Sequence, residues 1–104
     1  MTEGAGAVKC WRDAFSDLAD NPALTDFDSR IFFALLAEVR TNNLIQPFTV
    51  TGLAEELRCS RSGLARSLKR LQEQGVITRD DPNGLYRMNP DIAEYVPPEE
   101  LPQI

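Results

Sequence analysis

Basic and small polar side chains recur at helical spacing in the segment 61–74. At about 100° per residue, Ser62, Arg66 and Lys69 fall on one side of a helix, with Glu73 beside them. The opposite side carries leucines, namely Leu64, Leu68 and Leu71. Guanidinium and ammonium groups bind phosphate oxygens, and arginine also binds the O6 and N7 atoms of guanine. The pattern therefore predicts a helix that is anchored by leucine and turns cations toward a polyanion such as duplex DNA.

Individual side chains of this predicted helix suit different contacts with a duplex. We expect Arg66 and Ser62 to reach base edges, while the other cations, Arg61, Lys69 and Arg70, mainly position the helix. The first helical turn also offers backbone N–H groups to a phosphate. A charged helix face that meets only water is the competing interpretation. The predicted DNA-binding set is Thr49, Ser60, Arg61, Ser62, Gly63, Arg66, Lys69, Arg70, Arg79 and Arg87.

Charge is distributed unevenly along the 104 residues, which carry 11 basic and 16 acidic side chains and a net charge of −5. Residues 1–48 hold four Lys or Arg and seven Asp or Glu, and residues 80–104 hold one and six. Residues 49–79 hold six and three, so the middle segment is the only basic one. This segment is therefore the first candidate for a DNA contact, whereas the acidic flanks suit a protein partner.

Residues for catalysis and metal binding are scarce. The chain has no histidine, the commonest general base and a common zinc ligand. Two cysteines, Cys10 and Cys59, are too few for a four-ligand zinc site. Reduced, buried thiols are favoured over a disulfide between them, which is the alternative. We expect no enzymatic activity, no metal and no cofactor.

Hydrophobic periodicity and capping residues predict the helices. Residues 8–19 form an amphipathic helix in this interpretation, and Thr25 caps a second helix with Asp28 completing a capping box. Thr49 and Ser60 cap two further helices, which are joined by a three-residue turn.

The pattern changes to that of short strands after Gly75, which is typical of a helix end. Residues 76–79 and 85–88 are predicted to form a hairpin around the turn 81–84, and a last helical turn is predicted from Pro90 through Tyr95. Two helices joined by a tight turn and followed by a hairpin are the order of a winged helix-turn-helix. The predicted fold class is thus mainly α with a small β-hairpin wing.

The predicted organisation has three parts. Residues 1–20 are an N-terminal tail and amphipathic helix, residues 21–96 are the winged helix-turn-helix domain, and residues 97–104 are a disordered tail rich in proline and acid. The apolar stripe of the first helix is a candidate homodimer interface, made of Val8, Trp11, Phe15 and Leu18.

Two interpretations of the hairpin stay open. In one, Arg79 and Arg87 contact DNA and the tip at Asn83-Gly84 enters a minor groove, although Asp80 and Asp81 oppose this. In the other, the hairpin only covers the core, with packing residues Val76, Ile77, Tyr86 and Met88.

The segments 49–57, 59–64 and 68–77 resemble the winged helix-turn-helix superfamily, as in MarR-type regulators, over about half of the chain. Asn42-Asn43 and the segment 84–90 are similar to the RepL-type plasmid replication proteins, in which a Tyr-x-x-Asn-Pro element follows the second wing strand. This resemblance implies a plasmid- or phage-borne DNA-binding protein that acts in replication or copy control.

The combined expectation is a cytoplasmic, sequence-specific duplex DNA-binding protein that regulates replication or transcription and has no membrane segment. A chromosomal MarR-like transcriptional repressor is the first alternative. The second is a winged-helix module that binds protein and no DNA.

Overall fold

The computed structural model describes residues 6–80 and 84–100 of the chain. The described residues contain four α-helices: α1 (Arg12–Ala19), α2 (Asp26–Leu36), α3 (Val50–Leu57) and α4 (Arg61–Glu73). They also contain four strands: β1 (Ala7–Cys10), β2 (Ile77–Asp80), β3 (Leu85–Met88) and β4 (Ala93–Val96). Two 3-10 turns lie at Thr41–Asn43 and Pro98–Glu100.

Side-chain caps begin three of the helices as the sequence predicts. Thr25 caps α2 in a full capping box with Asp28, because each side chain bonds the other residue's backbone N–H. The Thr49 hydroxyl accepts from the N–H of Gly52 at the start of α3, and the Ser60 hydroxyl accepts from Gly63 at the start of α4. These predictions are confirmed because they depend on residues close in sequence.

The turn between α3 and α4 depends on one left-handed residue. Arg58 ends α3 with φ 57° and ψ 50°, and the N–H of Cys59 then donates to the carbonyl of Ala54. Glycine is the usual residue at such a helix end, since a side chain disfavours this backbone region. The chain thereby turns within three residues and starts α4 in a new direction.

The core lies between α2, α3, α4 and the β2–β3 hairpin. Its side chains include the predicted leucines of α4, and these are fully or nearly fully buried. Ile31 and Leu35 of α2 and Ile77 and Met88 of the hairpin are equally inaccessible. Burial of these faces fixes the angle of α4, so its opposite face must point outward.

The predicted hairpin is confirmed and has a third extended neighbour. β2 and β3 pair antiparallel in a register that sets Arg79 opposite Tyr86. On the other edge of β3, the N–H of Ile45 donates to the carbonyl of Tyr86, and Leu44 forms a bridge with Arg87. β3 therefore lies between β2 and the segment 44–45. The predicted turn residues 81–83 lie outside the described residues.

Both ends of the domain differ from the predicted elements. Residues 7–10 form β1 and the first helix starts only at Arg12, so the predicted helix 8–19 is wrong at its start. The predicted helical turn through Tyr95 is also wrong, because Ala93–Val96 form β4 and pair antiparallel with β1. Residues 98–100 form a 3-10 turn where a disordered tail was expected. Residues 101–104 lie outside the described part.

The architecture is thus mixed, with four helices and two small antiparallel sheets in the described residues, one of the sheets being the predicted hairpin. The β1–β4 sheet is not part of the predicted fold class. The longest described helix has 13 residues, and no helix in this part of the chain combines the length and apolar character that a membrane span requires.

Candidate nucleic-acid interface

The outer face of α4 is exposed along its length. Ser62, Arg66 and Lys69 are all exposed, as is Arg61 in the first turn. Among residues 6–80 and 84–100, no acidic side chain forms a salt bridge with any of these three cations. Three cations and a hydroxyl therefore face solvent on one helix, at the positions that the sequence pattern predicts.

Arg70 has a different place from that predicted. Its Nε and Nη2 atoms donate to the two carboxylate oxygens of Asp28 on α2, each at 2.8 Å. The guanidinium is therefore held in a two-pronged ion pair. Because this pair binds α4 to α2, Arg70 is a structural residue, and its prediction as a DNA-positioning contact is corrected.

Asp28 is the buried centre of this connection. It is inaccessible to solvent and also accepts from the hydroxyl of Ser67 at 2.6 Å and from the N–H of Thr25 at 3.0 Å. Burial raises the pKa of Asp28, but the bonds from Arg70, Ser67 and Thr25 outweigh it and hold the pKa at about 2, below its ordinary 3.8. The hydrogen bond with Asp28 in turn raises the pKa of the Arg70 guanidinium. The capping box of α2 was predicted, but the bonds of Asp28 to Ser67 and Arg70 on α4 were not.

The beginnings of α3 and α4 border one shallow surface depression. Most of its lining side chains are small, and the lining residues are Val50, Thr51, Ser60, Arg61, Ser62 and Ala65. Thr49 and Ser60 use their hydroxyls as acceptors for the caps, and Gly63 supplies the capped N–H of α4. These three predicted site residues therefore shape the helix ends. The side chains of the depression that lie on the outer face of α4 are Arg61, Ser62 and Ala65.

The two arginines of the hairpin are separated. Arg79 on β2 is exposed and lies over the ring of Tyr86, with 5.7 Å from Cζ to the ring centroid. Arg87 on β3 is half-buried and donates from Nη1 to the carbonyl of Asn42. Arg87 thus fastens the hairpin to the 3-10 turn at Thr41–Asn43. Only Arg79 keeps the exposed position expected of a DNA contact.

The second interpretation of the hairpin also has support. Val76, Ile77 and Met88 are fully buried, and Tyr86 is half-buried. The hairpin therefore covers the core and leaves Arg79 outside, so packing and an exposed cation coexist in it.

The predicted dimer stripe is largely used within the molecule. Val8 pairs with Tyr95 across the β1–β4 sheet, and Phe15 packs edge-on against Phe32 at 5.5 Å. Leu18 packs against the same core. Trp11 is 39% exposed and its indole N–H donates to the carbonyl of Pro90 at 2.8 Å. The four side chains do not form one helical stripe, because Val8 lies on a strand.

Sequence reasoning missed the polar residues that join distant segments. Ser67 had been given no role, and it is buried against Asp28. Asn43 is also buried: its amide nitrogen donates to the carbonyls of Met88 and Ala93, and its oxygen accepts from the N–H of Tyr95. A serine within the leucine face of α4 was the available signal for Ser67. Asn43 was noted only within the resemblance, and its structural role was not predicted because its partners are 45 or more residues away.

The remaining reactive side chains form no centre. Cys10 is exposed and Cys59 is half-buried, and both are free thiols, so the expectation of two buried cysteines is wrong for Cys10. In the part of the chain that the structure describes, no three His, Cys, Asp or Glu side chains are grouped so that they could hold a metal ion.

No protein-family model matches the chain, and no curated protein or solved structure matches it significantly. The site is therefore interpreted from its own geometry.

Proposed function

We propose that the protein binds specific sequences of duplex DNA as a winged helix-turn-helix, with α4 in the major groove and the β2–β3 hairpin as the wing. The observation that carries the proposal is the exposed row of Ser62, Arg66 and Lys69 opposite a fully buried leucine face. The 13 residues of α4 form a helix about 20 Å long. The major groove of B-DNA is wide enough to admit an α-helix.

The roles within the row follow from side-chain chemistry. Arg66 has a planar guanidinium that matches the O6 and N7 pair of guanine, and Ser62 brings a short hydroxyl next to the helix start. Lys69 and Arg61 carry charge toward the phosphates on either side of the groove. Exposed Ala65 lies between Ser62 and Arg66 in sequence, and its small side chain lets the backbone approach the base edges.

The electrostatic pattern of the chain supports the same orientation. The basic segment 49–79 includes both helices of the pair and the exposed Arg79, whereas the flanking segments are acidic. DNA phosphates attract the basic segment and repel the acidic flanking segments. The uneven distribution of charge thus favours an approach to DNA through the basic segment.

Within this proposal, the protein regulates replication or transcription of a plasmid or phage. A chromosomal repressor would use the same contacts, and a gene neighbourhood with an origin or a divergent promoter distinguishes the two. Binding as a homodimer would require two copies of α4 on half-sites one helical turn apart.

One observation favours the alternative, a module that binds a protein. A groove between α2 and α3 has an apolar floor that includes Leu53 and Leu57, and carboxylates at Glu38 and Glu56. Its lining includes no Lys or Arg, so it suits a basic apolar segment. DNA binding has stronger support, because α4 exposes a longer row of like charges.

Selection of duplexes from a random pool tests the proposal. We expect enriched sequences for the native protein and a loss of preference at one base position for Arg66→Ala, which costs about 1–3 kcal/mol on the selected site. Arg12→Ala, which removes an exposed arginine from α1, is the matched control and should select the native site. A pool that stays random with the native protein overturns the proposal. Equal weakening on selected and random DNA would reduce Arg66 to a phosphate contact.

A further inference from the structure

The exposed arginine of the hairpin is held by an aromatic ring. Arg79 and Tyr86 are directly opposite in the β2–β3 register, so their side chains are on the same face of the hairpin. The guanidinium carbon is 5.7 Å from the Tyr86 ring centroid, within the range of a cation–π interaction. The position where a Cβ would stand on Gly84 is 3.4 Å from Nη2 of Arg79, so the side chain lies along the hairpin toward its tip.

The ring of Tyr86 is itself fixed by a second ring. Phe48 stacks on Tyr86 with centroids 5.6 Å apart and an angle of 14° between the planes. Phe48 immediately precedes Thr49, the residue that caps α3. The contacts therefore run from Arg79 through Tyr86 to the beginning of α3.

Backbone bonds keep this row of side chains in place. The carbonyl of Tyr86 accepts from Ile45, which lies three residues before Phe48. Both rings thus lie on neighbouring extended segments that a backbone hydrogen bond joins. Arg79 therefore contacts a ring that is packed against the residue preceding the cap of α3.

We propose that Tyr86, supported by Phe48, is a positioning residue that aims Arg79 at a DNA phosphate beside the groove occupied by α4. The inference rests on the proposed function and extends it to the hairpin. Arginine can stack on a ring and still donate from its edges to phosphate, which lysine cannot do in the same way. A guanidinium that is ordered before binding loses less conformational entropy in the complex.

The sequence of the hairpin, residues 76–88, carries two arginines and two aspartates and so has no net charge. Two of these charges, Asp80 and Asp81, directly follow Arg79 in the sequence, and negative charge opposes the approach of phosphates. Stacking on Tyr86 directs the cation by contact with the ring. Arg87, which bonds Asn42, contributes to the attachment of the hairpin and is not part of this contact.

The test compares Tyr86→Leu, Tyr86→Phe, Arg79→Ala and the double variant Arg79→Ala with Tyr86→Leu, and includes Lys69→Ala as the reference for the α4 contact. Binding is measured by fluorescence anisotropy on a duplex of about two helical turns, roughly 21 base pairs, at several salt concentrations. Urea unfolding of each variant measures its stability, and the NMR shift of the Arg79 Nε–H reports the ring contact in the free protein.

We expect Arg79→Ala to weaken binding roughly ten-fold and to lower the salt slope by about 0.9, the loss of one phosphate contact. Tyr86→Leu should weaken binding about 2- to 5-fold, whereas Tyr86→Phe retains the ring and native affinity. In the double variant, Tyr86→Leu should add nothing to the loss caused by Arg79→Ala, because there is no guanidinium left for the ring to position.

Two results overturn the inference alone. One is native affinity of Tyr86→Leu while Lys69→Ala still weakens binding. The other is a double variant whose loss is the product of the two single losses, which would give Tyr86 a purely structural effect. If neither the native protein nor any variant binds the duplex, the proposed function fails together with it.

Discussion

At the scale of single residues, the most consequential side chain is one that touches no solvent. Asp28 accepts from Thr25, Ser67 and both arms of the Arg70 guanidinium, so one carboxylate caps α2 and binds it to α4. An uncompensated buried carboxylate would be costly, but here each oxygen has at least two donors. The direction in which α4 presents Arg66 and Lys69 depends on this connection.

Acid should release this connection. The pKa of Asp28 is about 2 in the folded protein and 3.8 ordinarily, so the unfolded chain takes up the proton first as the pH falls. The stabilisation is complete above about pH 4 and is lost as the pH falls through 4 toward 2. Asp28→Asn should lower the free energy of unfolding at pH 7 by roughly 1–3 kcal/mol, and should remove this part of the pH dependence.

Urea unfolding between pH 7 and pH 2.5 measures the effect. Asp26→Asn is the matched control, because Asp26 is an exposed acid in the first turn of the same helix. The account of Asp28 fails if the two asparagine variants lose the same stability and keep the same pH dependence.

At the scale of elements, the tight turn before α4 is built with backbone strain. Arg58 is left-handed at a position where glycine is the ordinary choice. Its side chain is exposed and forms no hydrogen bond or salt bridge in the described part of the chain. Arg58 therefore adopts the left-handed conformation that usually ends a helix at glycine, although this backbone region is unfavourable for a residue with a side chain.

Replacing this residue should relieve the strain. Arg58→Gly is expected to raise the free energy of unfolding by about 0.5–1 kcal/mol, because glycine adopts φ near 57° without steric cost. Arg58→Ala removes the same charge and keeps the Cβ, so it should give no gain. Equal urea midpoints for the two variants would show that the side chain, and not the backbone, sets the stability of the turn.

The elements also show what sequence alone can predict. Residues 49–54 and 60–65 share a hydroxyl cap, a second hydroxyl two residues later, a glycine, a leucine and an alanine, and both segments begin helices at the expected residue. Such signals are local. β1 and β4 pair across the whole domain, from Ala7 to Val96, and neither carries a turn signal that points to the other. Buried Asn43 holds β4 in place through bonds that no periodicity indicates.

The candidate site was predictable to the same extent. The leucine face of α4 predicts which cations point outward, and Arg66 and Lys69 are placed as expected. Arg70 was misassigned because its partner, Asp28, is 42 residues earlier. Arg79 and Arg87 could not be distinguished from sequence, since alternation along each strand did not show which of them meets the 3-10 turn.

At the scale of the whole molecule, an acidic protein presents one basic surface. A net charge of −5 coexists with the basic segment 49–79, whose exposed cations lie on α4, in the turn before it at Arg58, and on the hairpin at Arg79. Binding through such a surface releases counterions from DNA, so affinity should fall steeply with salt. If the protein instead acted through the acidic groove between α2 and α3, it would bind a protein partner and would not bind duplex DNA.

Salt dependence of duplex binding, measured for the native protein, Lys69→Ala and Lys9→Ala, is the most direct test of the proposed interface. Lys9 is an exposed lysine on β1, which pairs with β4 and has no part in the proposed contact. We predict steep salt dependence for the native protein, a slope lower by about 0.9 and weaker binding to every sequence for Lys69→Ala, and native behaviour for Lys9→Ala. Binding that is insensitive to salt, or an identical slope for the two lysine variants, would contradict the placement of α4 on DNA.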